Sequence, residues 1–172
     1  DESNKELASN KKVTLTEEQL KQLYDYPITG TELQVRKRTE IRDLFVLQCL
    51  VGQRVGDMQK FFNGDNEKDE EEDTISIIQQ KTKARAIIPL TPLAKEIISK
   101  YQNTELKYYK PSNSNLNAEL RIIAEEAGLN IPITFEDKDG KQVKPLFELV
   151  HTHTARHTFI TIMCRRDIPK ET

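Results

Sequence analysis

The pattern that most constrains the fold is a long helix, predicted from about Glu32 to Val51. Its apolar positions recur every three or four residues, the spacing that places side chains on one face of an α-helix. Gly52 follows directly and is suited to end the helix, because glycine readily adopts the left-handed conformation found after helix ends. The residues with this spacing are Ile41, Leu44, Phe45, Gln48 and Val51.

Shorter helices are predicted on both sides of this one. The first follows a capping box, which either Thr14-x-x-Glu17 or Thr16-x-x-Gln19 can supply. The others are predicted from about residue 55 to 62, from Thr91-Pro92 to Tyr101, from Ser114 or Asn115 to Gly128, and from about 151 to 166.

Two pairs of strands are predicted between the helices. Residues 74–79 and 84–90 are rich in β-branched side chains and flank a short polar turn, the pattern of a β-hairpin. Residues 131–135 and 143–147 flank Asp139-Gly140, a pair that favours a tight turn. The prediction is therefore an α+β fold, mainly α-helical with a small antiparallel hairpin.

The net charge of −2 conceals an acidic segment at residues 65–73, with seven acids and one lysine. We expect an acidic loop over residues 63–73 that is disordered and solvated. The rest of the chain carries +4, so a local basic face is possible and the overall charge argues neither for nor against nucleic acid.

The cysteine content and the apolar runs indicate a cytoplasmic location. Cys49 and Cys164 lie in apolar helical patterns and are predicted to be small core residues, with no disulfide framework. No signal-peptide pattern is present at the N terminus, and the apolar runs are too short for a transmembrane helix.

All three histidines fall within seven positions, at His151, His153 and His157. On a helix, His153 and Arg156 lie on one face and can reach a common target. A guanidinium binds phosphate or carboxylate as a planar fork, and an imidazole exchanges protons near neutral pH. The pair therefore predicts an oxyanion and proton-transfer site. His153 and His157 also have the spacing of zinc ligands on a helix, although the adjacent Arg156 would place a cation beside the metal.

Two further motifs carry cations. Arg54 lies in Gly52-Gln-Arg54-Val-Gly-Asp57, where it is either a solvated surface residue or an anion clamp. Lys81 and Lys83 lie in the hairpin turn Gln80-Lys81-Thr82-Lys83, where lysines either increase solubility or act in function.

Taken in chain order, the first motif contains Arg54, the second is the lysine-bearing hairpin turn, and the third runs from His153 to Thr161. Together they resemble the catalytic domain of the tyrosine recombinases, the family of phage- and transposon-type integrases. The third, from His153 to Thr161, is the most specific, because it matches His-x-Leu-Arg-His-Thr-Phe-Ala-Thr except at Ala155 and Ile160. The resemblance spans about residues 14–168 and implies the recombinase catalytic-core fold. The second motif is most similar to integrases of Bacteroides-type mobile elements.

The resemblance implies site-specific DNA cleavage and rejoining through a 3′-phosphotyrosyl intermediate, with no metal and no other cofactor. Arg54 and Arg156 are then expected to bind the non-bridging phosphate oxygens. His153 is expected to donate a hydrogen bond and carry a proton near the nucleophile. Lys81 is expected to protonate the departing 5′-oxygen.

Three other residues are expected to have supporting or DNA-binding roles. Asp57 is expected to orient Arg54 or its helix, and His157 to pack or hydrogen-bond beneath the active face. Lys83 is expected to bind DNA together with Arg54, Lys81 and Arg156. His151 receives no role.

The chain departs from the family in the position of its tyrosines. All five precede the third motif, whereas the family's nucleophile follows it. We therefore expect residues 1–13 to be a lead-in and residues 14–172 a catalytic domain that stops before its nucleophile and is inactive alone. The tyrosines are Tyr24, Tyr26, Tyr101, Tyr108 and Tyr109.

The expected partner is double-stranded DNA, with a tetrameric parent protein, a monomeric fragment and a place in the bacterial cytoplasm, at the nucleoid. No membrane association is expected. The alternative is a non-catalytic DNA-binding module that retains the recombinase fold and uses the same residues to hold phosphates.

Overall fold

The computed structural model describes the backbone of residues 13–171 and the side chains of residues 13–166. Over these residues it contains five α-helices, two 3-10 helices and two small antiparallel sheets. The predicted α+β class is confirmed. The predicted lead-in, residues 1–13, lies outside the described residues except for Val13, whose side chain is buried in the core.

Helix α1 (Glu17–Asp25) begins at a capping box formed by Thr16 and Gln19. The Thr16 hydroxyl accepts from the N–H of Gln19 at 3.1 Å, and the Gln19 side chain accepts from the N–H of Thr16 at 2.9 Å. Of the two boxes that the sequence allows, the structure therefore uses the second.

Helix α2 (Glu32–Val51) has the predicted bounds and lies at the centre of the fold. Gly52 ends it with a φ of 71°, as expected for a glycine after a helix. Every residue from Glu40 to Val51 is buried, so the second half of the helix is enclosed on all sides and not on one face only.

A buried carboxylate on α2 fixes a long connection elsewhere in the chain. Glu40 accepts hydrogen bonds from the backbone N–H groups of Tyr108 at 2.6 Å and Tyr109 at 2.9 Å. The N–H of Lys107 donates to the same carboxylate at 3.2 Å. Because a buried carboxylate is costly without partners, these bonds compensate Glu40 and hold the loop that precedes Pro111.

Three strands form the first sheet, in the order β1 (Asn66–Asp69), β2 (Thr74–Ile78) and β3 (Arg85–Pro89). The β2–β3 hairpin was predicted and is confirmed. A 3-10 helix, Val55–Phe61, stands where the helix from 55 to 62 was predicted.

The prediction that residues 63–73 are a disordered loop is wrong, because β1 lies inside this acidic segment. It pairs antiparallel with β2, from Asn66 opposite Ile77 to Asp69 opposite Thr74. An edge strand is held by backbone hydrogen bonds and tolerates exposed charges, so acidic composition does not prevent it. The Arg85 guanidinium also reaches Glu67 at 2.8 Å across the sheet.

The second half of the chain begins with two helices, α3 (Pro92–Lys100) and α4 (Leu116–Glu126). The second sheet follows as a hairpin of β4 (Pro132–Asp137) and β5 (Gly140–Pro145). Residues 146–147, predicted as strand, belong to a 3-10 helix, Leu146–Leu149, because the pairing ends at Pro145.

Helix α5 (Thr152–Glu171) extends beyond the predicted end at residue 166 and packs on α2. Its buried positions include Ala155, Thr158 and Ile162, which share one face. Cys164 lies off this face and is exposed, so its predicted place in the core is wrong. Cys49 on α2 is buried, as predicted.

Among the described residues, no helix is both long enough and apolar enough to cross a membrane.

Candidate active site

A cleft of about 550 Å³ brings together the four residues predicted to be catalytic. Arg54 lies at the start of the first 3-10 helix, and Lys81 lies in the β2–β3 turn. The other two lie in the first turns of α5. The residues that line the cleft are Gln48, Arg54, Val55, Gly56, Asp57, Gln80, Lys81, Pro111, Thr152, His153 and Arg156.

The two arginines form the positive part of the cleft. Both side chains are partly buried, and the Nε of Arg156 donates to the carbonyl of Gly52 at 3.2 Å. Burial lowers the pKa of Arg156, the charge of Arg54 lowers it further, and Asp57 opposes these effects. Two guanidinium groups that repel each other in a partly buried cleft favour binding of an anion between them.

Gly52 lets the segments of the two arginines approach each other. With its φ of 71°, a Cβ at this position would lie 2.2 Å from the Cδ2 of Phe159 on α5. Such a distance is far below van der Waals contact. Glycine therefore permits both the end of α2 and the close packing of α5 against it.

The Lys81 turn is attached to the segment that carries Arg54. The Asp57 carboxylate accepts from the backbone N–H of Gln80 at 2.8 Å. One residue earlier in the turn, the side-chain amide of Gln79 donates to the side chain of Gln53 at 2.7 Å. These bonds hold the backbone beside Lys81, while the Lys81 side chain is exposed.

Asp57 has partners in both the Lys81 turn and the Arg54 segment, and its expected role of orienting Arg54 or its helix stays a prediction. Its described side-chain partners are the N–H of Gln80 and the ammonium of Lys60 at 3.6 Å. Asp57 is 1% exposed and fixes the lysine-bearing turn, whereas its link to Arg54 is a backbone bond from its N–H to the Arg54 carbonyl at 2.9 Å.

His153 projects from the first turn of α5 and is exposed. Its backbone N–H donates to the Nδ1 of His151 at 3.2 Å, and the two rings meet edge to face with centroids 5.7 Å apart. His153 therefore lines the cleft from a helix turn that His151 helps to hold.

Two of the predicted residues lie outside the lining of the cleft. Lys83 is exposed in the β2–β3 turn with a φ of 59°, and its N–H donates to the Gln79 carbonyl at 2.9 Å. His157 is half-buried on α5, and its predicted packing role stays a prediction.

The alternative of a zinc site at the histidines depends on whether their side chains are placed to bind one metal ion. Within residues 13–166, no group of three or more histidine, cysteine or acidic side chains is placed to hold a metal ion. The Nδ1 of His151 is already an acceptor for a backbone N–H.

None of the five tyrosines, all within the described residues, lines the cleft. Tyr109 is linked to the cleft by a hydrogen bond from its hydroxyl to Gln48, which does line the cleft. Tyr109 is 1% exposed, and burial raises the pKa of its hydroxyl well above the usual value. Tyr101 donates to Asp43 at 2.7 Å.

The sequence did not single out the buried glutamines that support the cleft. Gln48 donates to the carbonyl of Gln53 at 2.9 Å, and Gln53 in turn accepts from Gln79. The available signal was a glutamine at an apolar position of α2, since a buried amide needs hydrogen-bond partners.

Comparisons with models of protein families, with curated proteins and with solved structures find no match for this chain.

Proposed function

We propose that this chain is the catalytic domain of a tyrosine-type site-specific DNA recombinase or integrase. The observation that carries the proposal is the convergence of Arg54, Lys81, His153 and Arg156 on one cleft. The segments that carry them are far apart in the chain. A set of solubilising surface residues has no reason to meet in this way.

The proposed reaction is phosphoryl transfer at a DNA phosphodiester. The proton of a tyrosine hydroxyl passes to His153, the tyrosine oxygen forms a bond to phosphorus, and the bond from phosphorus to the 5′-oxygen breaks. The electron pair leaves with the 5′-oxygen, which takes up a proton and becomes a free 5′-hydroxyl. Rejoining reverses these steps with another 5′-hydroxyl as the attacking group.

The cleft residues have complementary roles in this reaction. Arg54 and Arg156 bind the non-bridging oxygens and stabilise the charge that grows on them in the transition state. His153 donates a hydrogen bond and moves a proton near the nucleophile. Lys81 gives its proton to the departing 5′-oxygen, and its exposed position in a turn lets it reach a bound strand.

The nucleophile is not supplied to this cleft by any of the five tyrosines. We therefore expect this chain alone to form no phosphotyrosyl adduct with a suicide DNA substrate. An adduct on any of its tyrosines would contradict the assignment of the site.

The second candidate is a module that binds the DNA backbone without catalysis. The same arginines and lysine would hold phosphates, and the absence of a tyrosine from the cleft favours this reading for the chain alone. The two candidates differ in whether the cleft prefers a transition state to a ground-state phosphate.

Vanadate on a nicked duplex distinguishes these candidates. A nick with a 3′-hydroxyl and a 5′-hydroxyl can hold vanadate between its ends in the five-coordinate geometry of the transition state. A catalytic cleft should bind this duplex at least about tenfold more tightly with vanadate than with phosphate, as transition-state analogues generally are. A binding module should show equal affinities.

Arginine-to-lysine variants supply the matched control for this experiment. Arg156→Lys keeps the charge but removes the planar fork, so the vanadate effect should be lost. Arg36→Lys changes an exposed residue on α2 that pairs with Glu32 at 3.2 Å, and the effect should persist. An equal affinity for vanadate and phosphate in the unaltered protein would leave the binding module as the function.

A further inference from the structure

Helix α5 begins with a histidine as its cap. The Nδ1 of His151 accepts from the backbone N–H of His153 at 3.2 Å. In return, the backbone N–H of His151 donates to the Thr154 hydroxyl at 3.2 Å. This reciprocal pair has the form of a capping box, with histidine at the position that serine, threonine, aspartate or asparagine usually takes.

The hydrogen bond to His153 fixes the protonation state of the cap. An imidazole nitrogen accepts a hydrogen bond only when it carries no proton, and a doubly protonated ring has only donors. Neutral His151 must therefore carry its proton on Nε2. A protonated His151 cannot make the bond.

A second residue holds the same turn and does not titrate. The N–H of Thr152 donates to the side-chain oxygen of Asn117 on α4 at 3.0 Å. Since the first N–H groups of a helix have no partners within it, Asn117 and His151 each satisfy one of them. Thr152 and His153, whose N–H groups are held in this way, both line the cleft.

The surroundings of His151 favour its neutral form. Burial lowers the pKa of His151, and the positive charges of His153, His157 and Arg121 lower it further. His153 and His157 lie on α5 and Arg121 on α4. The positive end of the α5 dipole acts in the same direction.

We propose that His151 is a positioning residue for His153 and a pH-dependent cap of the helix that carries it. In the neutral state it holds the first turn of α5 against the cleft. When it is protonated, the bond to the His153 N–H is lost and this turn loosens. The expected effect of the cap on DNA binding rests on the proposed function, whereas the existence of the cap does not.

The direction of the pH effect follows from the lowered pKa. An unfolded histidine titrates near pH 6.5, above the value of His151 in the folded protein. Above about pH 6.5 the ring is neutral in both states, and the cap contributes in full. As the pH falls below that value, the unfolded chain binds a proton before the folded protein does. The contribution of the cap to the free energy of unfolding therefore declines as the pH approaches the lower pKa of His151 in the folded protein.

Thermal unfolding of the whole chain at pH 7.5 and pH 5.5 tests the cap with His151→Asn and His151→Ala. Asparagine keeps an oxygen acceptor for the His153 N–H but does not titrate, and alanine has no acceptor. All three proteins keep His153 and His157, so they differ only at position 151. Because each protein is compared with itself at two pH values, the stability lost with the packing of the ring drops out of the comparison.

On lowering the pH, Tm of the unaltered protein should fall about 3 °C further than that of either variant, the effect of losing one helix cap in a chain of this size. Hydrogen exchange at the His153 amide at pH 7.5 should be about fivefold faster in His151→Ala than in His151→Asn. If Tm of all three proteins changes equally with pH, or if the two exchange rates are equal, the cap is overturned.

Binding of a duplex oligonucleotide at pH 7.5 separates this proposal from the function on which it rests. The alanine variant should bind more weakly than the asparagine variant, because only asparagine retains the cap. Equal binding by the two variants would overturn the positioning role. If the unaltered protein binds no duplex, the proposed function fails, and the melting and exchange results still decide the cap.

Discussion

The carboxylate of Asp57 accepts a hydrogen bond from the backbone N–H of Gln80 at 2.8 Å. Asp57 lies one turn after Arg54, and Gln80 directly precedes Lys81. The bond therefore joins the segment of one candidate phosphate-binding cation to the segment of another. Since it engages the backbone, it sets where the turn lies and leaves the lysine side chain free to move.

Removing this acceptor should loosen the Lys81 turn. Asp57→Ala deletes the acceptor of the Gln80 N–H and one of the two described partners of the Lys60 ammonium, and we expect a loss of about 1–3 kcal/mol in the free energy of unfolding. Asp57→Asn retains an oxygen for Gln80 and should lose less. Urea unfolding and hydrogen exchange at Gln80 measure the two effects. Equal exchange at Gln80 in both variants would show that Asp57 does not hold the turn.

The two arginines of the cleft should account for much of its affinity for DNA. Arg54→Gln and Arg156→Gln each remove a charge from the cleft, and each should weaken duplex binding about tenfold, within the range for hydrogen bonds to charged groups. Log affinity falls linearly with log salt concentration, and each substitution should make that slope less steep by about one. Fluorescence anisotropy over a range of salt concentrations measures both quantities.

Arg36→Gln is the control for net charge in that experiment. Arg36 is exposed on α2, pairs with Glu32 and does not line the cleft. We expect its substitution to change affinity and slope far less than either cleft variant. A similar loss in all three proteins would mean that binding follows total charge and not the cleft.

Gly52 should be the glycine least tolerant of a side chain. Gly52→Ala introduces both an unfavourable φ of 71° and a Cβ that meets the Phe159 ring, and we expect it to cost about 3 kcal/mol or more. Gly64→Ala isolates the backbone effect, because Gly64 has a φ of 83° and no atom within 4 Å of a Cβ. That variant should lose about 1–2 kcal/mol in urea unfolding. Equal losses would show that contact with Phe159 is unimportant.

The two cysteines should differ in reactivity. Cys49 is fully buried in α2, and burial raises the pKa of its thiol well above the usual value. Cys164 is exposed on α5. Since the thiolate is the reactive form, an aromatic disulfide reagent at pH 8 should modify one thiol in the native protein and two in urea. Mass spectrometry should place the first label on Cys164, and labelling of native Cys49 would contradict the packing of α2.

Local signals in the sequence were sufficient for much of the fold. The spacing from Ile41 to Val51 and the following Gly52 predicted the second half of α2 and its end, because a helix is limited by its own periodicity and by the residues at its ends. The β2–β3 hairpin was predicted from its β-branched strands for the same reason. The burial of Glu40 was not predictable, since its carboxylate is compensated by N–H groups almost seventy positions away.

The wrong predictions arise where a neighbour decides the structure. The acidic segment becomes β1 because β2 offers an edge on which its backbone can pair. Cys164 is exposed because α5 turns another face towards α2. Composition and periodicity describe a segment alone, whereas edge pairing and helix orientation depend on distant parts of the chain.

For the candidate site, the sequence by itself determined which side chains could bind a phosphate and transfer protons: two arginines, a lysine and a histidine. Only the tertiary structure decided that they meet in one cleft, that Asp57 holds the Lys81 turn and that His151 caps the helix of His153. The chemical character of a residue is local and can be read from its type. Its position relative to other residues depends on hydrogen bonds and packing between segments that the sequence keeps far apart.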